Sequence, residues 1–186
     1  MDLFDVESFL REKLSVHSVQ DLELFPSDSY SSFLAQHKAG RLRLLTTYDS
    51  DTFNLLATRA ELLLHSILIW SPVLVSVVLV VASIVEWNFC LLLGIPLALL
   101  GFLLTTPGLM RSFGYTLLLI FGGLAVYNWI RGNITAAYIL SAYATSNFLV
   151  DVAREQCSMT VVDAALKSEL VLVWLYLKGS IRIKEK

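Results

Sequence analysis

From Ile67 to Val150 the chain reads ILIWSPVLVSVVLVVASIVEWNFCLLLGIPLALLGFLLTTPGLMRSFGYTLLLIFGGLAVYNWIRGNITAAYILSAYATSNFLV. Its only charged residues are Glu86, Arg111 and Arg131. A soluble fold needs charged or polar faces on its surface helices. This stretch supplies none, so its expected solvent is lipid. Breaks in the pattern divide it into four apolar runs, about Ile67 to Val85, Phe89 to Thr105, Phe113 to Ile130 and Ile134 to Val150. Each lies near the lower length limit for a helix crossing a hydrocarbon core of about 30 Å. Trp70, Trp87 and Trp129 fall near run ends, where indole rings anchor at the membrane interface.

The connections set the topology. Glu86-Trp87-Asn88 and Arg131-Gly132-Asn133 are short enough to close antiparallel helical hairpins. The middle link, Thr106 to Ser112, is longer and holds the turn dipeptide Pro107-Gly108. The expectation is an all-α multi-pass membrane protein: four transmembrane helices as two short-turn hairpins over residues 67–150. Lys and Arg near the span ends set the orientation. With the N-terminus inside, Arg59, Arg111, Arg154 and Lys167 are cytoplasmic and only Arg131 is outside. Both termini are therefore expected in the cytoplasm, with the plasma (inner) membrane as the location. Asn133-Ile134-Thr135 matches a glycosylation pattern, but it lies against the expected bilayer.

The flanks are more polar. Residues 1–50 are expected to form a cytosolic helical region. Leu3, Val6, Leu10 and Leu14 mark one helical stripe, and Pro26-Ser27-Asp28 opens a second helix ending near Gly40. Over 51–66 an amphipathic stalk or interfacial helix is expected. Asn54, Thr58, Glu61 and His65 line its polar side, and Phe53, Leu56, Ala60, Leu63 and Leu64 its apolar side. In the C-terminal region, 151–186, Leu170 to Leu177 is apolar but too short to span. Lys178-Gly179-Ser180 can turn and Ile181-Arg182-Ile183-Lys184 alternates like a strand, so a helix followed by a short β-hairpin is expected. These elements are short and show no obvious core of their own.

Composition narrows the function classes. Of 186 residues, 56% are hydrophobic and 16% charged, against about 25% charged in soluble domains. A net charge of −2 argues against nucleic acid as a partner. No secretory leader or lipidation box is evident. Cys90 and Cys157 fall on opposite sides of the expected bilayer, which excludes a disulfide between them. The sequence has no phosphate loop, no HExxH and no GxSxG. Glu61 and His65, one turn apart, lack a third metal ligand and read as a solvated helix face. Asp151 and Glu155 read as the charged collar of a span end. No catalytic residue, metal or cofactor is therefore expected.

The fourth run is the most polar. Tyr143, Asn147 and Asp151 recur at spacing four, and Asn128 in the third run could extend the group. The candidate is a polar cavity open to the cytoplasm, set against ordinary interhelical packing. The function expected is a non-enzymatic integral membrane protein: an accessory subunit, assembly factor or protective partner of a membrane complex. It would work through a cytoplasmic protein partner or as a homo-oligomer in the bilayer. The alternative is a homo-oligomeric channel or transporter lined by the fourth span.

Overall fold

The computed structural model describes residues 3–23, 25–47, 49–104 and 109–185, with side chains omitted at 3, 4 and 109–112. The Pro107-Gly108 turn expected from the sequence lies outside the described residues. The described chain is mostly helical, with one two-stranded antiparallel sheet. It divides into two compact units, Met1–Leu63 with Arg154–Lys186, and Leu64–Ala153.

The first unit is built from both ends of the chain. Helix α1 (Leu3–Lys13) carries Asp5 in its first turn and Arg11 and Lys13 in its last, the order the helix dipole favours. Helix α2 (Tyr30–Lys38) starts where the Ser29 hydroxyl accepts the Ser32 N–H. It ends before Gly40, whose φ of +71° suits a residue without Cβ. Strand β1 (Leu42–Thr46) follows, then helix α3 (Ser50–Leu56) and helix α4 (Arg59–Ile69). The C-terminal part of helix α8 (Ile134–Lys167), helix α9 (Glu169–Lys178) and strand β2 (Ile181–Glu185) complete the unit.

These parts share one core. Val6, Leu10, Val19, Phe33, Leu42, Leu44 and Ile181 pack with Val161, Ala165 and the run Leu170–Val173. The expectation that the flanks lack a core is thus corrected. Two half-sets of apolar residues, far apart in sequence, complete each other. The run Leu170 to Leu177 explains itself in the same way. A helix apolar on nearly all sides belongs at the centre of a core, and Leu170 to Val173 and Leu175 are buried there.

The expected C-terminal β-hairpin is also corrected. Lys178-Gly179-Ser180 ends α9, with Gly179 as its left-handed cap at φ +75°. Strand β2 instead pairs with β1, Leu44 opposite Ile183 and Arg43 opposite Lys184. The helical stretch before the tail breaks at Ser168, whose hydroxyl accepts the Val171 N–H and opens α9.

The amphipathic element is two helices, not one. The break at Ala57-Thr58 comes from a reciprocal cap. The Thr58 N–H donates to Glu61 Oε2 at 2.7 Å and the Glu61 N–H donates to Thr58 Oγ1 at 3.3 Å.

The second unit holds helix α5 (Ser71–Val85), a 3-10 stretch (Phe89–Leu93) leading into helix α6 (Gly94–Leu103), helix α7 (Leu109–Ile130) and the first part of α8. Pro72 sits in the first turn of α5, where its missing N–H costs nothing. Residues 86–88 close one hairpin, with Leu79 against the Gly94 position. Residues 131–133 close the other, with Trp129 edge-on to Tyr138 at 6.3 Å. Asn88 Nδ2 donates to Thr135 Oγ1 at 2.8 Å, which puts both hairpin turns at one end of the unit.

The interior of this unit is rich in small and hydroxylated side chains beside Leu79, Leu91, Tyr143 and Val150. Ser71, Ser83, Ser146, Asn147, Ala98 and Ala142 are buried, while Val77, Val78, Val81, Ile84, Leu119 and Ile130 are exposed. Among the described residues one helical segment, Phe113–Ile130, is long and apolar enough to cross a membrane alone. Helices α4 and α5 pass that test only together and meet at 52°, and Phe89–Leu103 is a shorter apolar helix.

Candidate functional site

Helix α8 brings the sequence-derived residues to one seam. Tyr143, fully buried, donates its hydroxyl to the Gly114 carbonyl of α7 at 3.1 Å. One turn on, Asn147 Nδ2 donates to the Gly101 carbonyl of α6 at 3.2 Å. Tyr115 Oη donates to Asp151 Oδ2 at 2.5 Å, one turn further. The three spaced-by-four residues of α8 therefore each reach a neighbouring helix.

Two glycines make this possible. A Cβ at Gly101 would lie 2.8 Å from the Tyr143 carbonyl oxygen, and one at Gly114 would lie 2.7 Å from the Leu104 carbonyl oxygen. No such contact is tolerated without the backbones moving apart. The same glycines supply the carbonyls that Asn147 and Tyr143 bind. Close approach and hydrogen bonding go together here: the backbones come near enough at the glycines for the side chains to reach those oxygens. The Phe121 ring packs on Tyr143 with centroids 4.8 Å apart and closes the seam on the α7 side.

Tyr143 and Asn147 thus fill the contact between helices rather than line an opening. Asn128 is not part of the group. It is half-buried and its amide folds back to the Leu124 carbonyl of its own helix at 2.8 Å. Nearer the turn of this hairpin, Ala125, Val126, Trp129, Ala137, Tyr138 and Ser141 line an apolar groove of about 310 Å³ between α7 and α8. Trp70, Trp87 and Trp129 are exposed, Trp87 most of all at 82%.

In the unit built from the termini, Asp49 is the most heavily used polar side chain. Lys178 Nζ donates to Asp49 Oδ2 at 2.6 Å and to Thr52 Oγ1 at 2.7 Å, and the Thr52 hydroxyl donates to Asp49 Oδ2 at 2.6 Å. The carboxylate also caps α3 by accepting the Asp51 N–H. The Lys178 hydrogen bond, then the Thr52 hydroxyl, hold the Asp49 carboxyl well below the usual carboxylate range. The Lys178 ammonium also lies 5.3 Å from the Trp174 ring centroid. A polar cleft of about 400 Å³ is lined by Glu7, Arg11, His17, Ser168, Glu169 and Leu170. Its Glu169 is already engaged, accepting the Ser18 hydroxyl at 2.8 Å and the Val19 N–H at 2.9 Å.

No known protein family, curated protein or solved structure matches this chain.

Glu61 and His65 are not a solvated face. Thr160 Oγ1 donates to Glu61 Oε1 at 3.2 Å, and the His65 ring lies within hydrogen-bond reach of the Ala153 carbonyl, Nδ1 to oxygen 3.2 Å. Bonds from the Thr58 N–H and hydroxyl lower the Glu61 carboxyl. Cys157 is buried beside Phe53 and Ala57, and burial lifts its thiol to about 11, which leaves it a packing residue at neutral pH. Among the described residues no three His, Cys, Asp or Glu side chains converge to hold a metal ion. The Asp49–Lys178 clasp was not found from sequence, since nothing local links residues so far apart. The Thr58–Glu61 capping box was present in the sequence as T-x-x-E.

Proposed function

We propose that this chain is a polytopic membrane protein with no chemistry of its own. Its four spans would be the α5 and α6 passes, α7, and the first part of α8. Its termini would form a folded domain on the cytoplasmic side that engages a partner of a membrane complex. The burial pattern of residues 64–153 carries this reading. Most large aliphatic side chains point outward, while small or hydroxylated ones fill much of the interior beside Leu79, Leu91 and Val150, the arrangement expected where the solvent is hydrocarbon and helices meet through small residues. Supporting it, α7 at 22 residues is about 33 Å long, enough for a bilayer core. The shared end of both hairpin turns is what an up-down-up-down passage requires.

The accessory role rests on what the polar groups are occupied with. Tyr143 and Asn147 are held by backbone carbonyls, and Asp49 and Glu61 cap helices. A pathway lined by the fourth span has less support for the same reason. Washing membranes with alkaline carbonate and then purifying the protein in native-like lipid tests both parts. Retention in the pellet with a stoichiometric partner is the expected result. Release by carbonate would overturn the membrane reading, and a pure homo-oligomer would overturn the accessory role.

A further inference from the structure

The β1–β2 ribbon has two unlike faces. On one, Leu42, Leu44 and Ile181 are buried against the core. On the other, Arg43 stands directly opposite Lys184 and Leu45 directly opposite Arg182, and all four are exposed. This face carries three cations and no carboxylate, on a chain whose net charge is −2. Like charges placed opposite each other across a strand pair destabilise it. Among the described residues none of these three cations forms an ion pair with an acidic side chain. Leu45, half-exposed at 44%, sits among them with no apolar cover.

We propose that this ribbon face binds an anionic phospholipid surface. The charges would meet headgroup phosphates and Leu45 would enter the boundary between headgroups and acyl chains. Charge complementarity supplies the argument for the occupant, and it has three parts. The like charges of Arg43 and Lys184, directly opposite each other, favour an anion between them. The face is about 17 Å long, as five strand residues are, and its charges are spread along it, so it suits an extended surface rather than a small ligand. An apolar residue at its centre suits lipid better than a nucleic-acid backbone. The inference rests on the membrane reading above, which supplies a lipid surface for the folded termini to meet. It adds a lipid preference that the accessory role does not require.

The test uses the full chain in nanodiscs, with Leu45→Cys in a Cys90→Ser background carrying an environment-sensitive fluorophore. Discs of phosphatidylcholine alone are compared with discs holding about one third phosphatidylserine. A blue shift confined to the anionic discs, reversed by salt, is expected. Each cation near such a surface contributes about a fivefold factor, so Arg43→Gln, Arg182→Gln and Lys184→Gln together should weaken docking about 100-fold. Circular dichroism and an unchanged thermal midpoint verify that the triple variant is folded. A probe that responds equally in both discs, or only to added RNA or polyglutamate, would overturn the proposal. Because the chain is first shown to enter phosphatidylcholine discs, failure of the membrane reading would appear at that step and separately.

Discussion

Replacing Gly101 or Gly114 by alanine tests the seam on which the helical unit depends. A Cβ at Gly114 would sit 2.7 Å from the Leu104 oxygen, and one at Gly101 2.8 Å from the Tyr143 oxygen. Both neighbours are backbone, so the helices must part by about 0.7 Å to restore ordinary contact. Overpacking of that kind costs about 1–3 kcal/mol. Parting also stretches the Tyr143 and Asn147 bonds, now 3.1 and 3.2 Å, past useful length. Hydrogen bonds between membrane helices are worth about 0.6 kcal/mol each on average. Against this, alanine gains up to about 1 kcal/mol of helix propensity over glycine. The net expectation is a loss of about 1–2.5 kcal/mol for either substitution. Gly122 and Gly123 serve as internal controls, because a Cβ at either meets nothing within 4 Å. Gly122→Ala and Gly123→Ala should be neutral or stabilising by up to about 1 kcal/mol. Unfolding midpoints in lipid–detergent mixed micelles, followed by circular dichroism, read the difference. Equal midpoints for all four variants would refute the close-contact seam.

Tyr143→Phe, which deletes only the hydroxyl, should lower the same midpoint by about 0.6 kcal/mol, while Asn128→Leu should leave it unchanged, since Asn128 bonds only its own helix. Asp49→Ala removes a helix cap and a partly exposed ion pair together and should cost about 2 kcal/mol in chemical denaturation of the full chain. The Asp49 and Glu61 carboxyls both sit below their unfolded values, so each contributes stability that is fully present above about pH 5 and withdrawn as pH falls. Acid titration should therefore destabilise the wild type and affect Asp49→Ala less; parallel acid curves would remove that assignment. Thiol labelling should modify the exposed Cys90 readily and leave the buried Cys157 unmodified until denaturation, with prompt reaction of Cys157 counting against its burial.

Much of the helical unit was legible because its signals are local. The turns Glu86-Trp87-Asn88 and Arg131-Gly132-Asn133 stand where the sequence puts them, and Gly40 ends α2 as its freedom at positive φ allows. The spacing-four set Tyr143, Asn147 and Asp151 was also readable, since helical period alone places them on one face. Their partners were not, because periodicity says which residues share a face and nothing about what that face meets. The terminal unit was the least legible part. Strand β1 and strand β2 are separated by most of the chain, and neither alternation declares its partner. The core is shared in the same way, with Val6 and Phe33 from one end and Leu172 and Ile181 from the other. Each half looks like an unpartnered amphipathic fragment until the other is present.

Helix α4 shows why the sign of an amphipathic pattern cannot be read without knowing the solvent. The period is correct: Glu61 and His65 share one side, and Leu63 and Leu64 do not. In water the leucines would turn inward and the polar pair outward. Here Glu61 receives the Thr160 hydroxyl and His65 meets the Ala153 carbonyl, while Leu63 and Leu64 remain exposed. An isolated inversion would be a curiosity, but Ile67, Trp70, Leu74, Val77 and Val81 continue the exposed apolar surface along the chain. Turning the half-buried Glu61 carboxylate inward without partners would be costly, and the three hydrogen bonds it accepts, from the Thr58 N–H, the Thr58 hydroxyl and the Thr160 hydroxyl, offset that cost. Leaving the leucines outside costs nothing if the medium around them is apolar. The arrangement is the one that the proposed membrane reading expects of a helix at a lipid boundary. Glu61→Leu, which makes the inner side apolar too, should weaken the unit while leaving membrane retention unchanged, whereas Leu63→Glu with Leu64→Glu should release the helix from lipid without disturbing the Thr58 cap.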